Sequence, residues 1–447
     1  MRSYAHDVRL VLLANLLTLL AGVVGQSLLA WCLAPEGRGQ YAACALFASL
    51  LVLTFALGQE MANVYYVGGQ RLDGSEALSQ SLVVGALASA LAAAFGHALT
   101  VTCPSLFAIA DLSLFRLSLA WIPFCILNMY LSHICLGLGD TLGYTLVVTL
   151  PRGLFTLGLV IATVSSGMSV QSALLAQIAA EALSTISAVV WLTRCHGCRP
   201  RALKWSRLRE SLGYGIRFYL GKLCSVANIQ VSNIILAFVV RDAAMVGMFT
   251  AASTVFSRIW VLAEALQVAA LPRTVAQPGG RPELIAQVVR LCLACCGLAT
   301  LSALLLSKPI IVVVLSPRFL PVLVPVWILL PGILARVIAK ILPAYFAGTN
   351  RPQVTSAVMG ISIVVNLGLM YVLLPVLGLS GVALSMTIAY IVESVLLSLA
   401  FRRNTGLSLL SLVRISSADW SVLTRNVRRL LGRPQAGPHA PGAPDAE

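Results

Sequence analysis

Charge is what this chain has least of. Asp, Glu, Lys and Arg supply 11% of its 447 residues, and the acids number only 16. A soluble globular domain carries about 25% charged residues, so a water-soluble fold is excluded. Catalytic equipment is missing as well. There is no Gly-rich nucleotide loop with its Lys, no credible triad, and no His/Cys/carboxylate cluster at metal-ligand spacing. His97 and His133 stand singly and read as packed or interfacial residues. Cys195-His196-Gly197-Cys198 is one C-x-x-C without a second ligand pair, and most of the 11 cysteines sit in apolar runs as small packing residues. These lacks argue against an enzyme, a resident metal and a cofactor.

Long apolar runs fill the space instead. Hydrophobic residues make up 59% of the chain and mean hydropathy is +0.91. A hydrocarbon core about 30 Å thick needs about 20 apolar residues per helix. Twelve such runs are expected, at about 10–33, 41–67, 81–101, 117–137, 146–166, 170–193, 213–239, 248–270, 286–306, 322–345, 354–376 and 380–401. The expected fold is all-α, a polytopic membrane protein. The first run is longer than a secretory h-region and ends without a small-residue cleavage site, so a retained helix is expected there. Basic residues divide 20 to 5 between the two sides, with six inside the runs and a net charge of +15. That bias predicts both termini in the cytoplasm and a basic balance set by topology and membrane lipids, not nucleic acid.

Ten charges nevertheless interrupt the runs: Glu60, Arg152, Glu181, Arg217, Lys222, Arg258, Glu264, Arg336, Lys340 and Glu393. Each costs about 2.5–3.5 kcal/mol at mid-membrane, so such residues line a polar cavity or pair with one another. Basic residues outnumber acids, and a cationic cavity suits an anionic or pyrophosphate-bearing substrate. Arg336 and Lys340, four apart, share a helix face fit for phosphate oxygens. Arg258 reads as deep. Arg152, Arg217 and Lys340 lie near enough to the interface to snorkel. Glu60, Glu181 and Glu393 are candidate coupling carboxylates or salt-bridge partners.

The chain repeats at a shift of about 209 residues: Gly39-Gln40-Tyr41-Ala42-Ala43 opens the second run and Gly247-Met248-Phe249-Thr250-Ala251 the eighth. Six runs per half give the halves one orientation, a parallel repeat. The partition expected is an N-lobe of residues 1–205, a C-lobe of 206–405 and a cytoplasmic tail of 406–447. In the tail, Leu409, Leu412, Val413, Trp420, Leu423, Val427 and Leu430 recur at helical spacing among arginines, a helix lying on the membrane surface. A Pro/Gly/Ala-rich disordered end follows. Pro331 and Pro343 sit inside one run, where each removes a backbone hydrogen bond and permits a kink.

Val365-Asn366-Leu367-Gly368-Leu369 followed by Leu374-Pro375-Val376-Leu377-Gly378-Leu379-Ser380-Gly381-Val382-Ala383-Leu384-Ser385 resembles the eleventh-to-twelfth helix region of bacterial polysaccharide flippases. These are the O-antigen and exopolysaccharide repeat-unit transporters of the multidrug/oligosaccharidyl-lipid/polysaccharide exporter superfamily. Leu33-Ala34-Pro35-Glu36-Gly37-Arg38-Gly39-Gln40-Tyr41 is similar to that family's first outer turn, with Ala34 replacing its first glycine. The resemblance covers about residues 8–405. It implies transport of an oligosaccharide linked to undecaprenyl pyrophosphate, from the cytoplasmic to the periplasmic leaflet of the bacterial inner membrane. It further implies membrane lipids, a polysaccharide polymerase and other assembly proteins as partners. The superfamily also holds multidrug antiporters, which usually need an N-lobe acidic site, and lipid II flippases, which often carry extra helices. Glu60 and Glu181 keep the antiporter reading open.

Overall fold

The computed structural model describes residues 4–165, 167–260, 282–349 and 351–414, with some side chains in these stretches left undescribed. Helices account for nearly all of it, and no strand occurs among the described residues. The chain forms two compact units: Met1–Arg258, Ser302–Gly332 and Ser356–Ala389 make the first, and Ile259–Leu301, Ile333–Thr355 and Tyr390–Glu447 the second.

The helices are α1 Tyr4–Phe55, α2 Gln59–Gly68, α3 Gly74–Thr102, α4 Leu112–Leu119, α5 Ile122–Gly137, α6 Thr141–Ser165 and α7 Val170–Cys195. They continue as α8 Trp205–Ile235, α9 Ala243–Phe256, α10 Pro282–Leu305, α11 Leu323–Gly348, α12 Pro352–Leu377 and α13 Leu379–Thr405. Among the described residues nine helical stretches are long and apolar enough to cross a membrane. One of them, Leu16–Phe55, has 40 residues, about 60 Å at 1.5 Å per residue, twice the hydrocarbon thickness. It bends midway, at Ala34 (φ 54°, ψ 178°), because Pro35 next to it has no N–H to give and disfavours helical backbone before it. Two expected spans therefore merge into one kinked helix. α8 and the π-helical turn Leu236–Val240 that continues it cover the run expected at 213–239, while the run expected at 248–270 begins within α9 and its part from 261 on lies outside the described residues. The protein is an all-α, multi-pass membrane protein.

The second expected run, 41–67, is broken. Leu57 and Gly58 have φ of 51° and 72°, and α2 starts only at Gln59. A Cβ on Gly58 would lie 2.2 Å from Gly215 O, so here two backbones meet and a helix cannot pass unbroken.

The first unit is built inside-out relative to a soluble protein. On α3, Val83, Leu87, Leu91 and Phe95 recur every four residues and are exposed, while Ala77, Ser81, Gly85, Ala88, Ala92 and Gly96 face inward. Lipid tails are as apolar as leucine, so helix association rests on small residues and interhelical hydrogen bonds. Asn63 Nδ2 donates to Ser81 Oγ (2.9 Å) and Tyr130 O (3.2 Å), and Gln59 Nε2 donates to Ser211 Oγ (3.1 Å). α1 and α9 cross closely at Gly39 and Gly247, the two glycines that the sequence repeat aligns. A Cβ on Gly39 would sit 1.7 Å from Ala243 O, and one on Gly247 would sit 1.8 Å from Pro35 O.

The basic stretch after α7 folds onto α3. Arg201 pairs with Asp73 (3.0 Å), Lys204 with Glu76 (3.1 Å), and Arg207 also with Glu76. Asp140 anchors the turn before α6, accepting from Gly143 N and Trp191 Nε1 and bridging His196 Nε2, each at 2.8 Å. Burial alone would raise the Asp140 carboxyl, but these bonds outweigh it and hold it below the ordinary carboxylate value.

Candidate functional site

Within the second unit, α11 and α13 bring a cation and its counter-charge together. Arg336 and Glu393 are 4% and 1% exposed, with Arg336 Nε 3.9 Å from Glu393 Oε2. Helical spacing explains the set: Lys340 follows Arg336 by four residues, and Glu393 follows Tyr390 by three, so each pair shares a face. Ser394 Oγ donates to Ala335 O (2.6 Å) and seats the two helices against each other.

Aromatic rings wall the cations. Arg336 Cζ lies 4.1 Å from the Tyr390 ring centre and 5.3 Å from that of Trp260, and Lys340 Nζ lies 4.9 Å from the Trp260 ring. Trp260 Nε1 donates to Ile333 O (2.8 Å), which fixes its plane. A guanidinium stacked on a ring leaves its N–H edge for oxygens. One edge nitrogen reaches toward Glu393, and Nη1 has no hydrogen-bond partner among the described residues. The arrangement can take a further anionic oxygen.

The other expected charges scatter. Glu60 is fully buried in the first turn of α2, where the helix dipole favours an acid. Glu181, half-buried on α7, accepts from Asn128 Nδ2 (2.9 Å). Arg152 is exposed on α6. Arg258 is exposed in the 3₁₀ turn Ser257–Ile259 that ends α9. Arg217 and Lys222 fall on α8, but their side chains lie outside the described residues, as does Glu264 altogether. Beyond Arg414 the expected surface helix is likewise outside them; Leu410–Val413 is helical, with Leu412 buried.

Sequence reasoning missed four participants. Trp260 and Tyr390 are ordinary apolar-run aromatics until the fold places them on Arg336. Asn128 becomes informative only as the donor to Glu181. Arg38, in the stretch that reads as an outer turn, is 4% exposed and donates through Nη2 to Gln26 Oε1. The helix resumes at Pro35, so Arg38 stands on its first turn and points inward, where an outer loop would have left it in water.

The described helices share their fold with solved MATE transporters and with the lipid II flippase MurJ. The lipid II flippase MurJ in an inward closed conformation matches with a TM-score of 0.70 at 14% identity, over 94% of this chain and 96% of that one. An inward-facing multidrug resistance MATE family transporter matches at 0.69 and 15% identity, over 86% of this chain and 94% of that one. A MOP superfamily transporter from Pyrococcus furiosus, for which reverse polarity of the binding pocket suggests a different function, matches at 0.54 and 15% identity over 89% and 93%. No family model matches the chain, and no curated protein matches it in sequence.

Proposed function

We propose that this protein moves an oligosaccharide linked to undecaprenyl pyrophosphate from the cytoplasmic to the periplasmic leaflet, by alternating access of two six-helix lobes. Arg336 carries the reading: a buried guanidinium stacked on Tyr390 and Trp260, with an open N–H edge and Lys340 one turn away. Glu393 lies against Arg336, and the Arg336 edge nitrogen without a hydrogen-bond partner among the described residues is the group offered to a pyrophosphate oxygen. Arg258, Arg217, Lys222 and Arg152 are secondary cations along the route. The likeness to a flippase of lipid II and the motifs at Asn366 and Gly378–Gly381 support a lipid-linked cargo.

Arg336→Ala is expected to abolish export of the glycan while the protein stays in the membrane, with Arg336→Lys restoring part of it, and Arg258→Ala, at a secondary cation, is expected to reduce export without abolishing it. Normal surface glycan in the Arg336→Ala variant would sink the proposal.

A second reading, a cation-coupled multidrug antiporter, draws on Glu60, which is 0% exposed, and on Glu181, held by Asn128. It requires that deletion of the gene sensitise cells to cationic drugs and that Glu60→Gln or Glu181→Gln reproduce the effect. On the flippase reading drug susceptibility is unchanged.

A further inference from the structure

A cavity of about 270 Å³ opens within the first unit, lined by Gln26, Arg38, Tyr41, Trp121, Gln230 and Asn233, with Thr250 and Thr254 at its α9 side. Its one charged group is Arg38. Gln26 Oε1 takes one N–H of the guanidinium, and Nε has no hydrogen-bond partner among the described residues. No ion pair to Arg38 occurs among the described residues, and the Glu181 carboxylate is engaged by Asn128 instead. A cation 4% exposed and without a counter-ion carries a desolvation cost that an incoming anion would offset. Asn233 Oδ1 is also buried without a donor, while its Nδ2 donates to Gln230 Oε1 at 2.8 Å.

We propose that this cavity holds a single sugar ring bearing a carboxylate. Arg38 takes the acid group, the amides of Gln230 and Asn233 and the hydroxyls of Thr250 and Thr254 take ring hydroxyls, and Trp121 and Tyr41 offer flat aromatic faces. The volume fits one ring: drug-sized ligands need about 300–1,000 Å³, so a whole oligosaccharide is too large for it. A cationic drug finds no acid on the lining. The inference rests on the flippase reading and adds to it an acidic sugar as the cargo unit recognised.

The test uses the full chain in lipid nanodiscs, with tryptophan fluorescence and saturation-transfer NMR reading binding of sodium glucuronate, glucose and inorganic pyrophosphate at matched ionic strength. Glucuronate is expected to bind at least tenfold more tightly than glucose in the unmodified protein. Arg38→Gln should erase that preference, Arg38→Lys should keep part of it, and Trp121→Ala should weaken both sugars while leaving their ratio. Equal binding of the two sugars by the unmodified protein overturns the proposal, whatever the variants do. Pyrophosphate binding that depends on Arg38 and not on Arg336 overturns it too, because the cavity would then serve the phosphate end. Binding is measured without transport, so normal glycan export by Arg336→Ala would refute the flippase reading and leave the glucuronate preference standing.

Discussion

Replacing Gly39 or Gly247 by Ala tests the close crossing of α1 and α9 quantitatively. The new methyl carbon would lie 1.7 Å from Ala243 O in one case and 1.8 Å from Pro35 O in the other. A carbon and a carbonyl oxygen settle at about 3.3 Å or more, so α1 and α9 must part by roughly 1.5 Å at the crossing. Overpacking of this kind costs about 1–3 kcal/mol. Alanine's better helix propensity returns up to about 1 kcal/mol, so the reference is Gly22→Ala, where a Cβ on the same helix meets nothing within 4 Å. The two clashes are relieved by one and the same separation. The double variant should therefore cost about as much as the worse single one, a non-additivity of about 1–2 kcal/mol. Reversible unfolding in mixed detergent micelles measures all four proteins. Single variants as stable as Gly22→Ala, or a double variant whose cost is the sum of the singles, would refute the reciprocal crossing.

Other outcomes follow from the same contacts. Glu393→Gln leaves the buried Arg336 uncompensated and should destabilise the second unit by about 3–5 kcal/mol in the same unfolding assay; pyrophosphate should recover more stability in this variant than in the unmodified protein. Asp140 is held ionised by Gly143, Trp191 and His196. Its folded value is lowered, so the stabilisation is complete above the unfolded value of about 3.9 and is lost as pH falls through the folded one. Proteolysis of the segment after α7 should accelerate there, and Asp140→Asn should be susceptible already at neutral pH. Arg152→Ala, on an exposed side chain, should leave glycan export within about twofold of normal.

Periodicity and length sufficed for most helices, because a membrane span needs only about 20 apolar residues whatever it packs against. α7 was expected at 170–193 and is Val170–Cys195, with Ser169 and Ser172 capping each other at its start. The interruption at Leu57–Gly58 could not be read, since its cause is Gly215, far along the chain. The Arg336–Lys340 face followed from spacing alone. Its aromatic walls did not, because Trp260 and Tyr390 lie 130 residues apart and resemble every other aromatic in an apolar run. The burial of Arg38 could not be read for a local reason: Pro-Glu-x-x-Gly reads as a turn in water, whereas the backbone kinks at Ala34 and is helical again from Pro35, which carries the guanidinium inward.

The central claim is that buried cations carry a lipid pyrophosphate outward. The direct measurement is movement of a fluorescent undecaprenyl-pyrophosphate oligosaccharide across vesicles reconstituted with the protein, with and without an electrical potential. Two negative charges leaving a negative interior gain about 2.3 kcal/mol each per 100 mV, roughly 4–5 kcal/mol if both cross the whole field, and less if protein charges move with them. Outward movement should be fast with the interior negative and should slow when the potential collapses. Arg336→Gln/Lys340→Gln should reduce it at least tenfold, while Glu60→Gln and Glu181→Gln reduce it only modestly. Movement at the unmodified rate in the Arg336→Gln/Lys340→Gln protein, or transport that ignores the potential and stops with Glu60→Gln, would contradict the account.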